Sequence, residues 1–309
     1  MAPRPIAPLR RTLALGVAAA IAIVLLSVAI RHLSDSYGVV GLPPLTPLTG
    51  SGSRLVIKDP NRLERLFDES GYELASVRSG KTTVPQMLLR ELPDGFAGLK
   101  DTDARKSLFI RTVLPLVLRV NRHITAQRKQ LLSLFDKRRA GAPLKPSEER
   151  WLSDIARLYR TEPGRTETLR RRVAPIPPSL ALAQAAAETG WGSSRFALDG
   201  NALFGQWTFT EGEGLKPRDA SSDSRHAVKS YEHLVGSVWD YTRNINSNAA
   251  YRALRDARAR GKRSGLALAG YLKRYSQRAT DYVDLLRDII RQNDLAPLDT
   301  AKLADHALD

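Results

Sequence analysis

The chain has no cysteine among its 309 residues. That absence rules out disulfides, thiolate metal centres and a cysteine nucleophile. It leaves the redox compartment open, since a cysteine-free chain tolerates oxidising and reducing surroundings alike. Histidine is scarce as well, with five residues. His226 and His233 lie seven apart across an expected strand-to-helix junction, without a third ligand at a diagnostic spacing. No metal site and no cofactor are expected. No internal repeat of useful length is visible either.

Positive charge is what the chain has in excess, at a formal +16. Residues 175–309 carry 18 Lys and Arg against 16 Asp and Glu, whereas residues 1–174 carry 30 against 16, so the excess is N-terminal. Clusters such as Lys137-Arg138-Arg139 and Arg170-Arg171-Arg172 suit solvated helix faces, anionic headgroups or acidic wall polymers. A nucleic-acid partner has only the charge behind it, with no basic–aromatic motif, and conflicts with the export signal described next.

Thr12 to Ile30 is a 19-residue stretch without a charge, preceded by Arg4, Arg10 and Arg11. It is long enough to cross ~30 Å of hydrocarbon as a helix. The flanking arginines predict a cytoplasmic tail (1–11), a single inner-membrane anchor (12–30) and export of everything after it to the periplasm. The alternative is a cleaved signal peptide, for which Ser27-Val28-Ala29 supplies small residues. Either way the bulk lies beyond the cytoplasmic membrane.

Residues 31–83, rich in proline, glycine, serine and threonine at their start, predict a linker or stalk. From 84 to 172 the pattern turns helical, with Leu108, Ile110, Val113, Leu114, Val117 and Leu118 spaced for one buried face. This predicts a helical annex. Ala174-Pro175-Ile176-Pro177-Pro178 breaks the pattern and opens a catalytic domain over 173–295, with 296–309 as a tail.

Pro178 fits the first turn of a helix, where its missing N–H would be unpaired, and no breaker follows before Gly190. The alanines of 181–187 let neighbouring elements approach closely, which predicts a central helix. Glu188 is its sole charge and falls in the last turn. There the negative end of the helix dipole and apolar neighbours disfavour a carboxylate and raise its pKa. A carboxyl group protonated near neutral pH can serve as the general acid of glycoside hydrolysis.

Gln184-Ala185-Ala186-Ala187-Glu188-Thr189-Gly190-Trp191-Gly192, followed by Asn201-Ala202-Leu203-Phe204-Gly205, closely resembles the signature of the bacterial glucosaminidase domain, the glycoside hydrolase family 73 group. Thr189, where serine is common, and Ala202 depart from it without touching the acid. The sequence around His226 to Tyr231, Asn248 to Tyr251 and Tyr275 to Tyr282 resembles later pieces of the same domain. Phe109 to Leu132 resembles the upstream helices of its Bax-type branch, so the likeness extends over residues 85–294.

The resemblance implies a mainly α, lysozyme-like α+β domain with a small β-hairpin lobe over a cleft. Gln206 to Phe209 and Ala227 to Tyr231 read as the hairpin strands. It also implies a peptidoglycan hydrolase cutting glycan strands as an endo-β-N-acetylglucosaminidase, with Glu188 as acid and Tyr275 bonded to it or to the attacking water. Gln184, Trp191, Asn201, Phe204, Trp207, Tyr231 and Tyr282 are its implied substrate-binding residues. Trp191, Trp207 and Trp239 are also candidates for sugar stacking or for core packing. Glu211, Glu213, Asp219, Asp223 and Glu232 are candidates for a second carboxylate, and none stands out. The alternatives are cleavage on the muramic-acid side, hydrolytic or lytic, and a non-catalytic glycan-binding scaffold.

Overall fold

Asp59 opens the first helix, α1 (Pro60–Glu69), by accepting the Asn61 amide at 3.0 Å, and α2 (Leu74–Arg78) follows. The computed structural model describes residues 54–217, 226–273, 275 and 279–305. The expected tail, membrane anchor and start of the stalk lie outside the described residues. Among the described residues no helix is long and apolar enough to cross a membrane.

Residues 54–83 are not the stalk expected of them. Leu63, Phe67, Leu74 and Val77 are buried from α1 and α2, and Asp68 pairs with Arg111 at 2.6 Å. The strand β1 (Arg54–Leu55) runs parallel to β2 (Leu88–Leu89). The proline- and glycine-rich start of that segment masked an amphipathic second half.

The helix α3 (Thr102–Arg139) is capped by Asp101, which accepts from the Asp103 and Ala104 amides. At 38 residues it is about 57 Å long at 1.5 Å per residue. Sequence spacing predicts one buried face, yet every residue from Leu108 to Leu118 is buried, Arg111 and Thr112 included. Helices packed on several sides account for this, since both α6 and α8, defined below, lie against α3. Two shorter helices, α4 (Pro146–Leu158) and α5 (Thr166–Arg172), follow. Lys137 bonds Glu148 at 2.8 Å, and Arg128 caps the α5 end through the Arg170 and Val173 carbonyls.

The alanine-rich helix α6 (Pro178–Thr189) is buried from Pro178 to Ala186 and ends at Gly190 with φ 55°. Beyond it come α7 (Arg195–Gly200), β3 (Trp207–Thr208), β4 (Gly214–Leu215) and β5 (Ala227–Lys229). The three strands form one antiparallel sheet in the order β3-β5-β4, with Trp207 opposite Val228. The lobe thus has a third strand where two were expected, because a two-residue Gly-Leu segment carries no period to read.

The remaining helices are α8 (Leu234–Ser247), α9 (Arg252–Ala259), α10 (Gly265–Ala269) and α11 (Ala279–Gln292). Both α10 and α11 pack on α6. At Gly265 an added Cβ would sit 2.6 Å from the Leu180 amide nitrogen and 2.1 Å from Ser179 Oγ. The missing side chain of Gly265 permits this close approach to the start of α6. The expected C-terminal tail is partly structural. Asp299, in a 3₁₀ turn (Ala296–Thr300), accepts the Ser179 amide at 2.8 Å and the Gly265 amide at 2.9 Å, and Leu303 bridges to Val84. The described chain is therefore mainly helical with a small antiparallel sheet, an α+β arrangement built around α3 and α6.

Candidate active site

Glu188 occupies the last turn of α6, where the unpaired carbonyls of a helix end carry partial negative charge. Gly190 in the left-handed region turns the chain away immediately afterwards. The Glu188 side chain is accessible to solvent, yet so much protein surrounds it that desolvation raises its pKa above the ordinary carboxylate value. The carboxyl group is thus both crowded and reachable. Gly205 lies beside it, with the position a Cβ would take there 3.7 Å from Glu188 Oε2.

A relay of hydrogen bonds holds the carboxyl group. Tyr282 on α11 donates its hydroxyl to Glu188 Oε1 at 2.8 Å, and Gln184, one turn before Glu188, donates Nε2 to the Tyr282 oxygen at 3.2 Å. Tyr241 on α8 donates to Gln184 Oε1 at 2.7 Å. Gln184 is fully buried, so it has no free contact to offer a substrate. It orients Tyr282 instead, which corrects its expected role. Tyr241 was absent from the sequence-based site, as one aromatic among several on an amphipathic helix. Only the packing of α8 beside α6 reveals it.

Tyr275 corrects a second expectation. Its hydroxyl donates to the Phe204 carbonyl at 2.9 Å rather than to Glu188, and its ring stacks on Tyr282 at 5.6 Å and 4°. The partner of the acid is thus the second tyrosine of the pair, because Tyr282 lies on α11 against α6 while Tyr275 precedes that helix. Phe204 is likewise no sugar platform. It is buried and stacked on Tyr241 with centroids 3.9 Å apart.

Asn201 ends α7 in the left-handed conformation (φ 53°) and donates Nδ2 to the Tyr231 carbonyl at 3.0 Å. Its work is to tie the α7 end to the lobe. Tyr231 donates to Asp240, as does Lys229. Burial pushes the Asp240 carboxyl up, but Lys229, Arg243 and Tyr231 together hold it below its usual range. Trp191, at φ 60°, lies edge-on to Phe109 with Lys106 over its ring, and Trp239 meets His123 edge-on.

Trp207 differs from these. It stands 54% exposed on the lobe beside His226, and Phe209, missing from the sequence-based site, is 80% exposed two residues on. Two exposed aromatic faces so close together in the chain leave apolar surface open to solvent at the lobe. Among the second-carboxylate candidates, Glu213 accepts from Thr208 Oγ1 and Glu232 faces His233 at 3.4 Å. Asp219 and Asp223 lie outside the described residues. Among the described residues only the surrounding protein and Tyr282 act on the protonation of Glu188.

The stretch of chain that carries Glu188, Tyr241, Tyr275 and Tyr282 is also the stretch that matches a known family. Residues 169–295 match the family model described as mannosyl-glycoprotein endo-beta-N-acetylglucosaminidase. The chain is also similar to "Protein bax" of Escherichia coli (strain K12), at 32% identity over 219 residues, 66% of this chain and 73% of that protein. The chain belongs to the Bax-type branch of the glucosaminidase-domain family. No solved structure matches it.

Proposed function

We propose that the chain hydrolyses the glycan strands of peptidoglycan as an endo-β-N-acetylglucosaminidase, with Glu188 as the general acid in a lysozyme-like cleft between the helical body and the β lobe. The observation that carries this reading is the state of Glu188. Its pKa is raised by desolvation, Tyr282 donates a hydrogen bond to it, and among the described residues no cation neutralises it. Such a carboxyl group keeps its proton to higher pH than a free one and can deliver it to a glycosidic oxygen.

Retaining enzymes that use a carboxylate nucleophile hold it about 5–5.5 Å from the acid. Since no described carboxylate acts on Glu188, the reading favours assistance by the substrate's own N-acetyl group over a protein nucleophile. Trp207 and Phe209 supply exposed aromatic faces for sugar rings. The charge-free run 12–30 supports anchoring in the inner membrane with the catalytic part in the periplasm.

The test is digestion of purified sacculi followed by mass spectrometry. New N-acetylglucosamine reducing ends are expected. Ends in N-acetylmuramic acid or its anhydro form would move the cut to the other bond, and the absence of any new end would leave a glycan-binding scaffold.

A further inference from the structure

A wide cleft lies away from Glu188, among the described residues. It measures about 1040 Å³ and lies where α5, α9 and the Ala174–Pro178 turn meet, beside the opposite end of α6. Its wall is built from guanidinium groups. Arg128 donates to the Arg170 and Val173 carbonyls, Arg255 to those of Ile245 and Asn248, and Arg258 to Pro175 and Arg171.

The terminal nitrogens of these three arginines are thus held by carbonyl dipoles, and among the described residues none of the three forms an ion pair. The nearby acid Asp256 is already engaged with Arg171 at 2.9 Å. Arg258 Nε is buried and meets no acceptor among the described residues. Burial, with Arg128 and Arg255 adding to it, pushes the Arg258 pKa down to about 9. Burial, followed by Arg172, lowers Arg255 to about 10. No carboxylate among the described residues pairs directly with these three guanidinium groups, and the lining as a whole, in which basic groups outnumber Glu167, Asp256, Asp299 and Asp305, stays positive. Arg260 and Arg263 add two exposed cations at its edge.

We propose that this cleft binds the carboxylate-bearing peptide side chains of the wall polymer, an inference that rests on the glycan reading above. Guanidinium groups match carboxylates in a planar, two-bond geometry. The lining also includes Glu167, Asp256 and Asp299. Mixed charge suits a short peptide carrying both carboxylates and an amine better than an anionic membrane, which is flat and favours an unbroken basic surface. The volume lies at the upper end of the roughly 300–1,000 Å³ of small-molecule pockets.

The experiment is calorimetric titration of the detergent-solubilised full chain with a free wall pentapeptide, with the same peptide amidated at its carboxylates, and with phosphatidylglycerol vesicles. Wild type is expected to bind the free peptide, more weakly as salt rises from about 50 to about 300 mM. The amidated peptide is expected to fail. The double variant Arg260→Glu, Arg263→Glu, changed only at exposed positions and checked by circular dichroism, is expected to bind at least ~10-fold more weakly, the 1.4 kcal/mol of one lost charge-assisted contact. Equal binding of the amidated peptide, no binding by wild type, or an unaffected double variant would overturn the proposal. So would capture by vesicles alone. Because titration reads no bond cleavage, a chain that binds peptide but releases no new glycan ends keeps this site and loses the hydrolase reading. The converse result does the reverse.

Discussion

Tyr282 reaches from α11 to the C-terminal turn of α6 and donates its hydroxyl to Glu188 Oε1 at 2.8 Å, across 94 positions of sequence. Two opposed influences meet on that oxygen. Desolvation is the larger and favours the protonated acid, while the tyrosine bond favours the carboxylate. The net effect is a Glu188 pKa above the ordinary carboxylate value.

Replacing Glu188 with Gln keeps the size and hydrogen-bonding capacity of the side chain but removes its transferable proton. Loss of a general acid costs roughly 10²–10⁴-fold in rate. The release of new reducing ends from sacculi should fall by that factor, with the thermal midpoint changed little because the side chain is accessible. Unchanged release would remove Glu188 from the chemistry.

The pH profile follows from the sign of each influence on the acid. Since folding raises the Glu188 pKa, activity that needs the protonated form should persist above the ordinary carboxylate range and decline as pH climbs through the raised value. Tyr282→Phe removes the bond that lowers the pKa, so the alkaline limb of kcat/KM should move to higher pH. Tyr275→Phe should leave that limb in place, because Tyr275 bonds Phe204 instead, and cost about 1 kcal/mol of stability from the unpaired carbonyl. An alkaline limb that moves with Tyr275 and not with Tyr282 would reverse the assignment.

Gly265 tests the packing that holds α6 in place. With Leu180 backbone 2.6 Å from the added methyl, Gly265→Ala forces α10 away from α6 and should destabilise by about 1–3 kcal/mol, read as a lower midpoint in urea. Gly212 has φ +81° but open space around it, and Gly212→Ala should lose only the backbone term of about 1 kcal/mol. Equal midpoints for the two variants would contradict the close approach.

Trp207 is more than half exposed, so Trp207→Ala should change stability by no more than about 0.5 kcal/mol. If its face carries sugar, KM on sacculi should rise roughly 5-fold, equivalent to about 1 kcal/mol of lost contact, with kcat retained. A drop in kcat alone would place the ring elsewhere in the reaction.

Sequence by itself determined the helix that bears Glu188, the place of Glu188 on it and the lobe that follows. Proline at the start, an unbroken alanine run and glycine at the end are local instructions, and the position of Glu188 before Gly190 places it in the last turn whatever surrounds the helix. Which tyrosine meets the acid was decided only by tertiary structure. Tyr275 and Tyr282 are both aromatic and seven residues apart, and the packing of α11 on α6 selects the second. The burial of Gln184 and Phe204, the recruitment of Tyr241, the folded state of residues 54–83 and the gathering of Arg128, Arg255 and Arg258 into one cleft wall share that origin. Each depends on contacts between residues far apart in the chain, and neither periodicity nor spacing records such contacts.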